Sequence, residues 1–567
     1  MKGDLTPLHL AAFYSYRPVS QTLIEAGADI EAKDACLRTP LHLAANSTED
    51  SGEYTLECLI GSNAAVNVAD KCGLTPLHLA ASKGLANMVA LLLESGAKVD
   101  NPDLRGRNAL HLAALSGSNS VAKQLCFADE KSVYRQDRNG FYPLHYAAYS
   151  GDESLCTFLF AHMEDLMEIP TSGVHQGITP VHLATMRNMA KPLLPLAKEI
   201  KKKAETVTKK NGALDRPLFT CTDVKNRIPL HYAMKYGYIE PMTILLSQSS
   251  AEVCLSWRDR DDYTPLHFAA ANGKNNCLEW VLQKFSGISV NRKDSRGRTC
   301  GMLSLTAKSG PYWPLILKSN LEQRDSMGRG YLHRAAYLRN RNVLLKVLEK
   351  CNPNTRDING VTPLHVAAAI GEQDTVAILL KFGANPFVKD NRGFTPVDWA
   401  AAYNQLSVLK QLLPNSRQLC PDSAFDSGNM ASSFNNTSVD TKSKDLSPGK
   451  RINDAELCGF PGLLFSAYFG NLSCVTYLLE SYPQLISVRD PLGRTALHLA
   501  AWRGNYDCVE YLIGKGSEIE AVDDCGTTAL MYSVKESGTS CVLGLFYVSQ
   551  FDPERRLCNA INGNGET

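Results

Sequence analysis

Residues 360–390 read GVTPLHVAAAIGEQDTVAILLKFGANPFVKD. Thr362 is an N-cap residue type, its hydroxyl suited to accept from an early helical N–H. Pro363 follows at the first helical position, where a missing N–H costs nothing. Leu364, Ala367 and Ala368 recur at helical spacing and give a short helix with a thin apolar face. Gly371 ends it, because a left-handed residue is least strained as glycine. A second helix runs through Thr375, Val376, Ile378, Leu379 and Leu380 to Gly383, and an extended ANPFVKD leads onward. Two helices of this length cannot bury enough surface alone, so the stretch requires copies of itself on both sides.

The copies are present. The Thr362 position recurs at Thr6, Thr39, Thr75, Asn108, Tyr142, Thr179, Ile228, Thr264, Thr299, Gly330, Thr395, Pro461, Thr495 and Thr528, giving fifteen repeats. Most spacings are 31 to 37 residues, about 33 on average, the period of helix-pair repeats carrying T-P-L-H-x-A. On TPLHLAA at Thr6, Thr39 and Thr75, TPLHFAA at Thr264 and TPLHVAA at Thr362, the chain resembles the ankyrin-repeat family over nearly its whole length. The resemblance implies an all-α ankyrin-repeat solenoid of helix–turn–helix repeats with β-hairpin fingers.

Asp-x-x-Gly precedes many of these motifs, as at Asp70–Gly73, Asp103–Gly106 and Asp357–Gly360. Asp opens a turn and Gly supplies positive φ. Asn226 and Asp262 replace the glycine with residues that tolerate that region. Leu37 does not, so its finger is expected to be distorted. The Thr299 repeat lacks the histidine and crowds prolines into its second helix, and the Pro461 repeat is recognised by Ala467, Gly470 and CVTYLLE.

Two insertions interrupt the period. Thr179 and Ile228 stand 49 residues apart, around a basic insertion near 187–216 with Lys201–Lys203 and Lys209–Lys210, read as a solvated face or a nuclear signal. Thr395 and Pro461 stand 66 apart, around a stretch rich in Ser, Asn and Asp. The expected organisation is therefore an array of about twelve repeats over 1–416, a linker over 417–455 containing a proline-directed phosphosite candidate at Ser447, and about three repeats over 456–567. Thr567 stands where another repeat would start, and neither end carries a polar cap, so a piece of a longer array is expected.

A net charge of +1 in 567 residues argues for neither nucleic acid nor membrane as a partner. No apolar run reaches the roughly 18 residues of a membrane span. The start lacks a signal-peptide core, and 17 cysteines show no disulfide framework, so reduced thiols and a cytoplasmic setting, with the nucleus as a second, are expected. The repeated histidines, from His9 to His498, read as ties between neighbouring turns rather than metal ligands, because stacking holds them apart. Cys277, Cys474, Cys508 and Cys541 share one second-helix register and read as small buried hydrophobes. No zinc spacing, phosphate loop or nucleophile elbow occurs, so no enzyme, metal or cofactor is expected.

What remains is surface, and the family resemblance implies protein partners bound along fingertips and groove. Arg105, Arg138, Arg227, Arg260, Arg296, Arg329 and Arg392 fall at successive fingers, with Trp257 and Tyr263 beside them. Such a ribbon suits carboxylates or phosphates. TPLHLAANSTEDSGEYTLECLIG and the Ser/Asp-rich insertion after FTPVDWAAAYNQLSVLKQLL also resemble the ankyrin-repeat regulatory subunits of protein phosphatase 6. That resemblance implies a regulatory subunit that recruits substrates to a Ser/Thr phosphatase catalytic or adaptor subunit. Two other assignments stay open: the cytosolic ankyrin domain of a membrane channel or membrane-skeleton adaptor, and the substrate-binding arm of an enzyme, such as an acyltransferase or ubiquitin ligase, whose catalytic domain lies outside this chain.

Overall fold

The computed structural model describes residues 5–47, 52–163, 177–194, 196, 221–248, 250–285, 287–413 and 462–535. Ser447, both lysine clusters and Cys541 lie outside them. Among the described residues the chain is a succession of short helix pairs, without an extended β-strand. The described residues fall into two compact blocks, one within 1–295 and 299–318, the other within 296–298 and 319–567.

The opening stretch folds as its sequence predicts. Its helices are Pro363–Ile370 and Gln373–Lys381, and Gly371 and Gly383 take φ of 81° and 85°. The cap differs from the expectation. Thr362 N–H donates to His365 Nδ1 at 3.1 Å, and the Thr362 hydroxyl lies 2.8 Å from the same nitrogen. The imidazole thus takes the part that Glu plays in a capping box.

The other face of that ring ties the stack together. His365 Nε2 is 2.9 Å from the carbonyl oxygen of Phe394, at the entrance to the next repeat. The same pair of bonds recurs at His9, His42, His78, His111, His145, His182, His231, His333 and His498. At His267, facing the irregular Thr299 repeat, Nε2 meets Arg292 O instead. That repeat is cut down to helices Cys300–Ser304 and Trp313–Lys318. Because Nδ1 accepts a backbone N–H, the proton sits on Nε2, which donates to the carbonyl.

Stacking continues across both insertions. His182 bonds to Arg227 O at 2.9 Å, past the first. Past the second, Phe394 and Phe465 meet with ring centroids 4.8 Å apart. Asn471 Nδ2 there caps the carbonyls of Ala401 and Ala402 at 2.8 and 2.9 Å.

At the Thr395 repeat an aspartate replaces the histidine. Asp398 is buried, and its Oδ2 accepts from the Thr395 amide and hydroxyl at 2.8 and 2.7 Å. Burial raises this carboxyl to about 6 against the lowering effect of those two donors.

Replacing His365 with Ala strands the Thr362 amide and the Phe394 carbonyl in a buried setting. A loss of about 2–4 kcal/mol in urea unfolding of the second block is expected, whereas a change under about 0.5 kcal/mol would remove the ring from the frame. Burial also lowers the buried rings, His111, His182 and His231 from 6.5 to about 4. The unfolded chain then binds more protons than the fold between those values. Stability is complete above about pH 6.5 and falls toward pH 4, by up to about 1.4 kcal/mol per pH unit per ring. Melting temperatures measured from pH 7 to 5 should drop steeply; a flat profile would contradict the bonding.

Candidate interaction surface

Each finger is a hairpin turn built on one carboxylate. Asp103 Oδ1 accepts the amides of Arg105 and Arg107, both at 2.8 Å, and its backbone N–H donates to Arg107 O at 2.9 Å. The same Oδ1 bonds occur at Asp34, Asp70, Asp137, Asp223, Asp259, Asp325, Asp357, Asp390, Asp490 and Asp523. The expected β-hairpins are therefore turns held by a side chain. Among the described residues, bridge pairing appears at Lys293–Thr299 and Val522–Thr528. At Gly106 a Cβ would stand 2.8 Å from the Arg138 amide of the next finger, which adds a close approach to the positive φ.

The Leu37 finger is regular, contrary to expectation. Leu37 adopts φ of 60°. Asp34 still accepts both amides, and Arg38 grips its other oxygen through Nε at 2.7 Å. The leucine side chain is exposed, so the strain of the left-handed backbone is offset without a clash.

That grip divides the arginines. An arginine four residues after the finger aspartate turns back onto it: Arg107 on Asp103, Arg227 on Asp223, Arg329 on Asp325 and Arg494 on Asp490. Arg227 and Arg329 are therefore clamps of their own fingers and leave the predicted ribbon. Burial raises the Asp103 carboxyl, but the Arg107 amide and guanidinium outweigh it and hold it below the ordinary range. Asp259 has Tyr263 at the clamp position and Phe268 where Asp223 receives the Tyr232 hydroxyl. Burial accordingly leaves Asp259 above its usual value, despite the Tyr263 and Asp261 amides.

Arginines one or two residues after the aspartate point outward. Arg105, Arg138 and Arg260 are exposed at the tips, and among the described residues they form no side-chain ion pair. Arg296 and Arg392 are exposed as well, with Arg296 O accepting Ser326 N–H at 2.9 Å and Arg392 N–H bonded to Asp390. Trp257 and Tyr263 are framework residues. The Trp257 indole donates to Asn226 O at 3.1 Å, and Tyr263 O takes the His231 bond while its ring packs on Phe268. Spacing from the aspartate is the signal that separates clamp from tip, and it also adds Lys71 and Lys225 to the tips.

A second row lies at the last turn of the first helices, where Tyr149 and Tyr236 in the first block and Tyr337, Tyr403 and Phe469 in the second are exposed. Around Tyr149 the turns of three repeats enclose an open depression of about 510 Å³, with Leu115, Asp152 and Met189 on its walls. The Arg187 guanidinium lies 4.5 Å from the Tyr149 ring centroid. Among the described residues no cluster of His, Cys, Asp and Glu suited to a metal ion occurs, and no helix is long and apolar enough to cross a membrane.

Comparison with known proteins agrees with this geometry. The family profile described as ankyrin repeats (3 copies) matches residues 41–137, 207–294, 315–422, 444–523 and 463–556. Profiles described as ankyrin repeats (many copies) and ankyrin repeat match 122–160 and 3–35. Similar proteins include Rabankyrin-5 of Mus musculus, 32% identical over 28% of this chain and 14% of its own length. Inversin of Gallus gallus is 27% identical over 29% of this chain and 16% of its own. The probable 26S proteasome regulatory subunit p28 of Saccharomyces cerevisiae is 28% identical over 29% of this chain and 73% of its own. The alignments thus span about a seventh of Rabankyrin-5, against nearly three quarters of the yeast subunit. The chain belongs to the ankyrin-repeat family.

Clamp and tip arginines should part in mutagenesis. Arg227→Ala leaves a buried carboxylate short of its cation and should cost about 2 kcal/mol, whereas Arg105→Ala should stay within about 0.5 kcal/mol. Equal losses by thermal melting would refute the division.

Proposed function

We propose that this ankyrin-repeat chain is a non-catalytic scaffold that binds protein partners along its fingertips and the last turns of its first helices. The observation that carries the reading is the division of labour among side chains. Histidines, finger aspartates and clamp arginines are occupied within the frame, while Arg105 and Arg138 stand exposed on neighbouring fingertips and Tyr149 on the last turn of a first helix. Aromatic and arginine side chains supply most of the energy of protein interfaces. The pairs of hydroxyl and imidazole in the described residues, such as Thr362 with His365, are buried in helix caps, and the family's repeats serve as interaction modules.

The finer assignment is a regulatory subunit that brings substrates to a Ser/Thr phosphatase catalytic or adaptor subunit. It rests on the sequence around Thr39 and Thr395 and on the insertion that follows. The yeast relative, by its name a regulatory subunit of a larger assembly, offers a parallel for a non-catalytic role. We place the scaffold in the cytoplasm.

Photo-crosslinking tests both levels. Benzoylphenylalanine at Leu104 and Tyr149 should give protein adducts in cells, and at Glu94, exposed on a second helix, should not. Adducts at Glu94 alone would overturn the surface assignment. Mass spectrometry of the adducts should show a phosphatase subunit; adducts lacking one would leave the scaffold and remove the phosphatase.

A further inference from the structure

The geometry points to an extended acidic peptide segment of a protein partner, carrying apolar residues between its carboxylates, laid along the tips of the three consecutive fingers 70–74, 103–107 and 137–141. This rests on the protein-binding reading above and specifies its partner chemistry. Lys71, Arg105 and Arg138 are all exposed there and make no side-chain ion pair among the described residues. Their fingers are joined directly: Leu104 N–H donates to Cys72 O at 3.0 Å, and Arg138 N–H to Arg105 O at 2.8 Å. Three fingertips that each carry a cation are thus held in one row by backbone bonds.

The carboxylates of these fingers keep their charge but are engaged in their own turns rather than paired with the tip cations. Oδ1 of Asp70, Asp103 and Asp137 accepts amides of its own finger. Asp103 is further paired with Arg107, and Asp137 accepts the Tyr146 hydroxyl at 2.8 Å. The fingers at 223–227 and 259–263 make a poorer site. Lys225 and Arg260 are adjacent there through an Arg260 N–H to Lys225 O bond of 2.9 Å, but Asp261 is exposed beside them.

Spacing and neighbours select the partner. Packed helices repeat at about 8–10 Å, and an extended chain rises about 3.3 Å per residue. One carboxylate in three residues therefore matches one cation per finger. Leu104 is 56% exposed between the Lys71 and Arg105 tips and offers an apolar contact to the residues between. A nucleic-acid strand carries a denser, unbroken charge, and a protein of net charge +1 lacks the broad basic field that such binding uses. Two of the three cations are arginines, which take carboxylates in bidentate fashion.

The test selects 12-residue peptides from a random display library on the full chain and on its Lys71→Glu/Arg105→Glu/Arg138→Glu variant. Wild-type winners should be enriched in Asp or Glu at about every third position with apolar residues between. A synthetic winner should bind the variant at least tenfold more weakly in fluorescence anisotropy, with the melting temperature unchanged. A 15-nucleotide oligo(dT) should bind more weakly than that peptide. No selected peptide, winners without acidic enrichment, affinity for the variant within twofold, or tighter oligo(dT) binding would each overturn the proposal. Neutral winners that crosslink at Tyr149 would overturn it while leaving the protein-binding reading intact.

Discussion

One imidazole ring, used in the same way at ten of the described repeats, ties each of them to its successor. Its Nδ1 satisfies the amide that begins a helix, and its Nε2 satisfies a carbonyl where the next repeat enters. Both partners are backbone groups that burial would otherwise leave unpaired, at a cost of about 1–3 kcal/mol each. The ring does this only when neutral and only in one tautomer. Helix capping and inter-repeat stacking are therefore a single interaction, and neither helix pair nor neighbour is stable in isolation. The rings at His42, His78, His365 and the others have both nitrogens engaged, which leaves no lone pair for a metal.

The finger aspartate is the second constraint, and it decides what the surface has to offer. Its inner oxygen fixes the turn, and its outer oxygen draws in an arginine four residues later or a ring nine residues later, as Trp399 Nε1 does at 3.1 Å from Asp390. Among the described residues, the tip side chains of Lys71, Arg105, Arg138 and Arg260 enter no ion pair with it. On the proposed reading, recognition falls to such residues and to the aromatic last turns. Variation at Lys71, Leu104, Arg105 or Arg138 can then alter a partner without altering the fold, which is why function in such arrays lies in surface residues rather than in topology.

The helix pairs, their glycine ends and the role of the histidines were legible because each depends on local residue type and on period, as at Gly371 and His365, whereas the part of the His365 ring in the Thr362 cap was not. The regular Leu37 finger was not, because its φ is decided by Asp34 and Arg38 acting across the turn. Arg227 and Arg329 read as a surface ribbon because composition registers charge but not direction; only distance from the aspartate separates them from Arg105 and Arg138. Asp398 stands in the histidine register, where a carboxylate brings no donor to the next repeat, yet the rise of its carboxyl to about 6 emerges only with burial. The continuity of packing from Phe394 to Phe465 across the insertion is likewise a tertiary fact that a composition shift conceals.

The most direct measurement is nitrogen-15 NMR of the chain labelled at its histidine rings. The repeated histidines should show protonated Nε2 and unprotonated Nδ1 at pH 7, and His111, His182 and His231 should keep that state at pH 5.5, where a free imidazole is largely charged. Titration of those three rings near 6.5, or a proton on Nδ1 of the repeated histidines, would contradict the bond that joins these repeats.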